Sequence, residues 1–103
     1  TYMFIYNITF NVETQIEAEW LEWMKNEHIL DILGTKHFIE HRVLRLVNEH
    51  PDASGTTYAV QFTATNIADV QQYLANQGAV LQNELMAKFG QKVMSFMTLL
   101  EEI

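Results

Sequence analysis

The chain has no cysteine, one proline and four glycines, and its six lysines and arginines are set against thirteen acidic side chains. Without thiols there are no disulfides, thiol nucleophiles or thiolate metal sites. The scarcity of proline and glycine leaves no linker-like or low-complexity stretch at which to divide the chain. No repeat at solenoid spacing occurs either, so residues 1–103 are expected to form a single domain. A net charge of −7 argues against nucleic acid as a partner, because that needs clustered Lys and Arg to displace counterions from phosphates. Anionic membrane surfaces are disfavoured for the same reason. No apolar run approaches the roughly 20 residues of a membrane-spanning helix. Thr1 to Asn7 lack the basic region and small-residue cleavage site of a secretory signal. A cytoplasmic protein is the expectation.

What is present is strong periodicity. From Tyr2 to Val12, Tyr2, Phe4, Tyr6, Ile8, Phe10 and Val12 alternate with Met3, Ile5, Asn7, Thr9 and Asn11. A period of two in aromatic and β-branched residues predicts a strand. Glu13 to about Leu33 reads as a helix, with Thr14 and Glu17 spaced as a capping box and Gly34 as its C-terminal cap. Ile16, Trp20, Trp23 and Met24 share one stripe at 100° per residue, while Glu17, Glu19, Glu22 and Lys25 point away. An unbroken helix would put Glu27 near the centre of that stripe and His28 on its flank. A polar pair there implies that the helix bends, ends or lines a cavity.

Phe38 to Val47 predicts a second strand, Asn48 to Gly55 an exposed loop around Pro51, and Thr56 to Thr65 a third strand joined to the second as a hairpin. Asn66 is placed to cap a long helix, Ile67 to Phe89, whose stripe of Ile67, Val70, Leu74, Leu81, Leu85 and Phe89 has Gly78 at its middle. Gly90 stops it, and Lys92 to Leu100 makes the last strand. This βαββαβ order predicts the α+β class. It gives a ferredoxin-like sandwich with a four-stranded antiparallel sheet, both helices on one face, and strands one and three central. Neither central strand carries a charge from Met3 to Phe10 or from Thr56 to Thr65. A face left to water would carry some, so a second copy of the same sheet is expected to cover it. The alternation leaves open which face carries Asn7 and Gln61.

Met3 to Val12, Glu19-Trp-Leu-Glu-Trp-Met24, Glu27-His-Ile29, Leu44-Arg-Leu46 and Phe96 to Glu102 together resemble the domain-of-unknown-function family 4286, a group of short bacterial proteins, over nearly the whole chain. The resemblance implies Met3 as the original start, with Thr1-Tyr2 an extension, and proline in many relatives where Leu30 stands here. More broadly, the chain is similar to the dimeric α/β-barrel superfamily. That group includes cofactor-free monooxygenases, haem-using enzymes, isomerases and small stress-response proteins. This likeness implies two sheets pairing face to face and a ligand site between sheet and helices.

The candidate site residues follow from chemistry. Trp20 and Trp23, with Met24, offer a flat polarizable wall to a planar ligand, or fill the core. His28 beside Glu27 is the best catalytic candidate, as a general acid or base tuned by a carboxylate, or else a half-buried structural histidine. Asn7, Arg45 and Gln61, from strand faces, complete the ligand-binding set, with Arg45 as an anion anchor or simply an edge-strand charge. No metal is expected. His37 and His41, four residues apart in a strand-like run, are separated by about 13 Å, whereas ligands of one metal lie within about 4 Å of one another.

No cofactor is expected. Metallochaperone chemistry lacks its paired cysteines. An RNA-recognition module would need basic residues that Thr56 to Phe62 lack. An acylphosphatase-like loop would need glycine and arginine where Val12-Glu-Thr-Gln15 stands. Two classes of function remain. The preferred one is a small-molecule-binding homodimer with a pocket between the first helix and the sheet, whose enzymatic status as a cofactor-independent catalyst is undecided. The other is a non-enzymatic interaction or regulatory module, which would have a filled core and no cavity.

Overall fold

The computed structural model describes residues 3–103; Tyr2, expected to begin the first strand, lies outside them. The four strands are β1 (Phe4–Val12), β2 (Glu40–Arg45), β3 (Thr56–Ala64) and β4 (Val93–Glu101). They form one sheet in the order β2-β3-β1-β4, with every neighbouring pair antiparallel. Register follows directly from the period-two pattern. Tyr6 lies opposite Phe62 and Leu99, Ile8 opposite Val60 and Met97, and Phe10 opposite Tyr58 and Ser95. Because opposed residues share a face, the even positions of β1 turn their aromatic and aliphatic side chains to the helices. The odd positions, Ile5, Asn7, Thr9 and Asn11, line the other face.

Helices cover only the first of these faces. α1 (Glu17–Trp23) and α2 (Ile29–Gly34) are joined by a π-turn over Met24–His28. α3 (Ile67–Ala75) and α4 (Gln77–Phe89) are joined at Asn76. The shared core holds Tyr6, Ile8, Phe10 and Val12 against Trp20, Met24, Ile29, Ile32, Val70, Tyr73, Leu85 and Phe89.

Several local expectations are corrected. Thr14 makes no capping hydrogen bond; Thr14–Ile16 is a 3₁₀ turn, and the Glu17 carboxylate instead accepts from the Tyr58 hydroxyl. Gly34 is the last residue of α2 rather than its left-handed cap. Lys36 takes the positive φ, 67°, and Thr35 Oγ1 donates to the Ile32 carbonyl. The long second helix is two helices, because the Asn76 backbone leaves the helical region and its side chain donates to the Gln72 carbonyl. Asn66 does cap α3, its Oδ1 accepting from the Asp69 N–H at 2.9 Å. Gly90, with φ 58°, ends α4.

The open face of the sheet has an uncharged polar centre. Asn7 is buried there even within one chain. Its amide donates to Thr98 at 3.1 Å and accepts from Gln61 at 3.2 Å. Around this ladder, Leu44, Leu46, Met94, Phe96 and Leu100 are exposed. The charges of this face, Glu40 and Arg42, are confined to the edge strand β2.

Candidate functional site

The π-turn decides what the first helix presents to the sheet. In an α-helix Glu27 would follow Met24 inward. Here the Ile29 N–H bonds to the Met24 carbonyl, five residues back, and the wider turn holds back the rotation. Glu27 is thereby left exposed, while His28 and Ile29 are buried. Such single wide turns are rare and are concentrated at functional sites.

His28 lines a small inner chamber of about 10 Å³ with Tyr6, Ile8, Phe10, Met24, Ile32, Val60, Phe62, Tyr73, Gly78 and Gln82. The chamber adjoins an open groove of about 340 Å³ between α3–α4 and β1–β4, walled by Leu74, Ala79, Ser95, Phe96 and Met97. Tyr6, Ile8, Gly78 and Gln82 border both spaces. No charged side chain lines either one.

Electrostatics fit that lining. The His28 imidazole is 4% exposed and its Nδ1 is buried with no hydrogen-bond partner. Burial pushes its pKa down to about 4, against a smaller upward pull from Asp31. The ring is therefore neutral at physiological pH. Burial also raises the Tyr6 and Tyr73 phenols, so both stay protonated. Every titratable group on the cavity wall is thus held in its uncharged form.

The six residues expected to bind ligand do not come together at one place. His28 is on the cavity wall. Trp23 stacks on the His28 ring at 4.6 Å and meets Phe89 edge-on at 5.4 Å, so it backs the histidine from the surface side. Trp20 is fully buried between Phe10 (5.2 Å) and Tyr58 (5.0 Å), and is not among the residues lining the cavity. Asn7 and Gln61 lie on the opposite face of the sheet, because they alternate with the inward Tyr6, Val60 and Phe62. Arg45 is exposed on β2 opposite Tyr58, away from the cavity. Glu27 does not partner His28, since the π-turn sends it to a surface groove with Trp23 and Lys88.

His37 and His41 also part company. His37 Nδ1 lies 3.0 Å from Asp69 Oδ1, and His41 sits on β2 over the Phe62 ring. No cluster of three or more potential metal-binding side chains occurs among the described residues.

Gly78, Gln82, Tyr73 and Ser95 are cavity residues that periodicity did not single out as such. Gln82 carried a signal: an uncharged amide one turn after Gly78, on the flank of an apolar stripe. It reaches across the groove toward Ser95 Oγ, at 3.4 Å.

A family model described as domain of unknown function DUF4286 matches residues 3–103. No curated protein matches the chain. Among solved structures, the chain is similar to an ethyl tert-butyl ether D (EthD) family protein from Bacillus halodurans. That match has a TM-score of 0.72 and 17% identity, over 97% of this chain and 99% of that one. It is similar to SnoaB, a cofactor-independent oxygenase from Streptomyces nogalater, with a TM-score of 0.69 and 16% identity over 95% and 90% of the two chains. A dimeric ferredoxin-like protein from an uncultured marine organism matches with a TM-score of 0.69 and 6% identity, over 100% and 97%. At these identities the likeness establishes the ferredoxin-like fold of dimeric α/β proteins. No helix among the described residues is long and apolar enough to cross a membrane.

Proposed function

This chain belongs to the DUF4286 family, and from that premise and the geometry of its cavity we propose that it is a homodimer that binds an uncharged, largely apolar small molecule between its helices and its sheet. The observation that carries this reading is the buried His28 Nδ1. A polar atom removed from water without a partner costs about 1–3 kcal/mol, and here it belongs to a residue on the wall of a chamber that shares Tyr6, Ile8, Gly78 and Gln82 with a groove of ligand-accommodating size. The absence of charged lining favours a neutral ligand over an anion. An interaction module with a filled core would have no reason to keep a neutral imidazole beside an empty space.

The dimer part of the reading is supported by the open face. Its apolar rim of Leu44, Leu46, Met94, Phe96 and Leu100 and its polar centre at Asn7 suit burial against an identical sheet. A pair of such faces would bury on the order of 1,200–2,000 Å². The resemblance to a cofactor-independent oxygenase makes catalysis without a bound cofactor one use of such a pocket, with His28 as its reactive-group partner. A cytoplasmic location remains part of the same proposal.

The test is a binding panel of uncharged aromatic and aliphatic compounds, followed by amide resonances of Gly78 and Gln82, with sedimentation of the same samples. Binding that moves those resonances, in a species of dimer mass that Phe96→Asp dissociates, is the expected result. A monomer at micromolar concentration, or compounds that move only surface resonances, would overturn it.

A further inference from the structure

We infer that Gly78 and Gln82 form a neck through which one small oxygen group of the ligand, a hydroxyl, reaches His28 while the apolar body stays in the outer groove. This rests on the pocket reading above and specifies what the pocket selects. The two spaces differ more than thirtyfold in volume, about 10 Å³ against about 340 Å³. A space of about 10 Å³ holds roughly one water-sized group. Only a single oxygen can therefore stand beside the imidazole, and the rest of the molecule has to lie outside the neck.

Gly78 keeps that neck open. Its backbone has no positive φ, so glycine is not required there for conformation. In a helix it is worse than alanine. What it supplies is room: a Cβ at this position would come within 3.0 Å of both the Tyr73 ring and the Tyr73 carbonyl oxygen. Any side chain would press on Tyr73, which lines the inner chamber, from a position that borders both spaces.

A hydroxyl matches the recess better than a carbonyl, which only accepts, or an alkylamine, which is a cation at neutral pH and meets no carboxylate on either wall. The unpartnered Nδ1 either donates or accepts, depending on the tautomer, and a hydroxyl does both. At the neck, the Gln82 amide is committed only to a long contact with Ser95, 3.4 Å, which leaves it free to turn to the ligand. With no cation on either wall, a carboxylate in place of the hydroxyl would have no counter-charge.

The experiment uses three probes of one shape: 4-ethylphenol, ethylbenzene and 4-ethylbenzoate. Dissociation constants are measured for wild type and Gly78→Ala, and the His28 ring nitrogens are followed by ¹⁵N NMR. In wild type, 4-ethylphenol is expected to bind about tenfold tighter than ethylbenzene and 4-ethylbenzoate, and only 4-ethylphenol moves Nδ1. In Gly78→Ala the phenol loses that advantage, while ethylbenzene still binds in the groove. Equal binding of phenol and ethylbenzene to wild type, or an advantage that survives Gly78→Ala, overturns the neck and leaves the groove as the pocket. Binding of neither probe overturns both. The wild-type ring shift decides the matter by itself should Gly78→Ala not fold.

Discussion

His28 is held by opposing demands. Packing under Trp23 and beside Met24 removes the ring from water, while its Nδ1 finds no partner in the chain. The consequence is a stability that depends on pH. The folded pKa is lowered to about 4 by burial, and the unfolded histidine titrates near 6.5. Between these values the unfolded chain binds more protons, so stability falls as pH drops. It is full above about pH 6.5 and loses on the order of 3 kcal/mol by about pH 4. Denaturant melts from pH 7.5 to 4 should show this slope, and His28→Gln should flatten it. An imidazole that NMR shows titrating near 6.5 would contradict the burial described.

Trp20 also has a buried ring nitrogen without a partner, Nε1, but it lines neither the chamber nor the groove. Seated between Phe10 and Tyr58 with no exposed surface, it is a packing residue, and Trp20→Ala should cost about 3–5 kcal/mol. A loss below about 1 kcal/mol in denaturant melts would contradict that role.

At the scale of elements, the two helix starts look alike in sequence and differ in structure. Asn66 caps α3 through its side chain, whereas Thr14 caps nothing. Thermal or denaturant melts should therefore show about 1 kcal/mol lost in Asn66→Ala and less than about 0.5 kcal/mol in Thr14→Ala. Equal losses would show that Thr14 caps after all.

Strand identity and sheet order were legible because side-chain alternation in β1 and β3 is nearly perfect. The candidate site was legible only in part. His28 was visible as a polar residue beside an apolar stripe, but its burial depends on a π-turn, and a fixed 100° step turned Glu27 inward instead. Asn7 and Gln61 looked like pocket residues because an alternating strand does not announce which face meets the helices. Gly78 was visible only as a gap in a stripe. Its closeness to Tyr73 comes from the break at Asn76, a weak helix former whose signal the apolar stripe from Ile67 to Phe89 outweighed. The Glu17–Tyr58 contact, which displaces the capping box, joins residues 41 positions apart and lies beyond local pattern.

For the whole molecule, the two faces of the sheet divide the work. One face is sealed by helices except where α3, α4 and β4 leave the groove leading toward His28. The other presents an uncharged amide ladder inside an apolar rim. β4 belongs to both, since Met97 and Leu99 lie on the helix side and Met94, Phe96 and Leu100 on the open side, all exposed in a single chain. Apolar side chains this exposed on one face of a strand mark a surface suited to burial against a partner. In the proposed dimer Met94, Phe96 and Leu100 are covered, and the strand forms the outer wall of the pocket as well. Pocket and interface are then coupled through one strand, and a substitution such as Phe96→Asp should weaken ligand binding along with dimerisation.

The most direct single measurement is a crystal structure of the protein with the tightest-binding compound of the panel. The account predicts two chains packed through their open sheet faces. It places the compound's body against Leu74, Ala79 and Met97 and a polar atom within hydrogen-bond distance of His28 Nδ1. A compound seated outside the space between helices and sheet, with the His28 ring packed against protein atoms on every side, would contradict it.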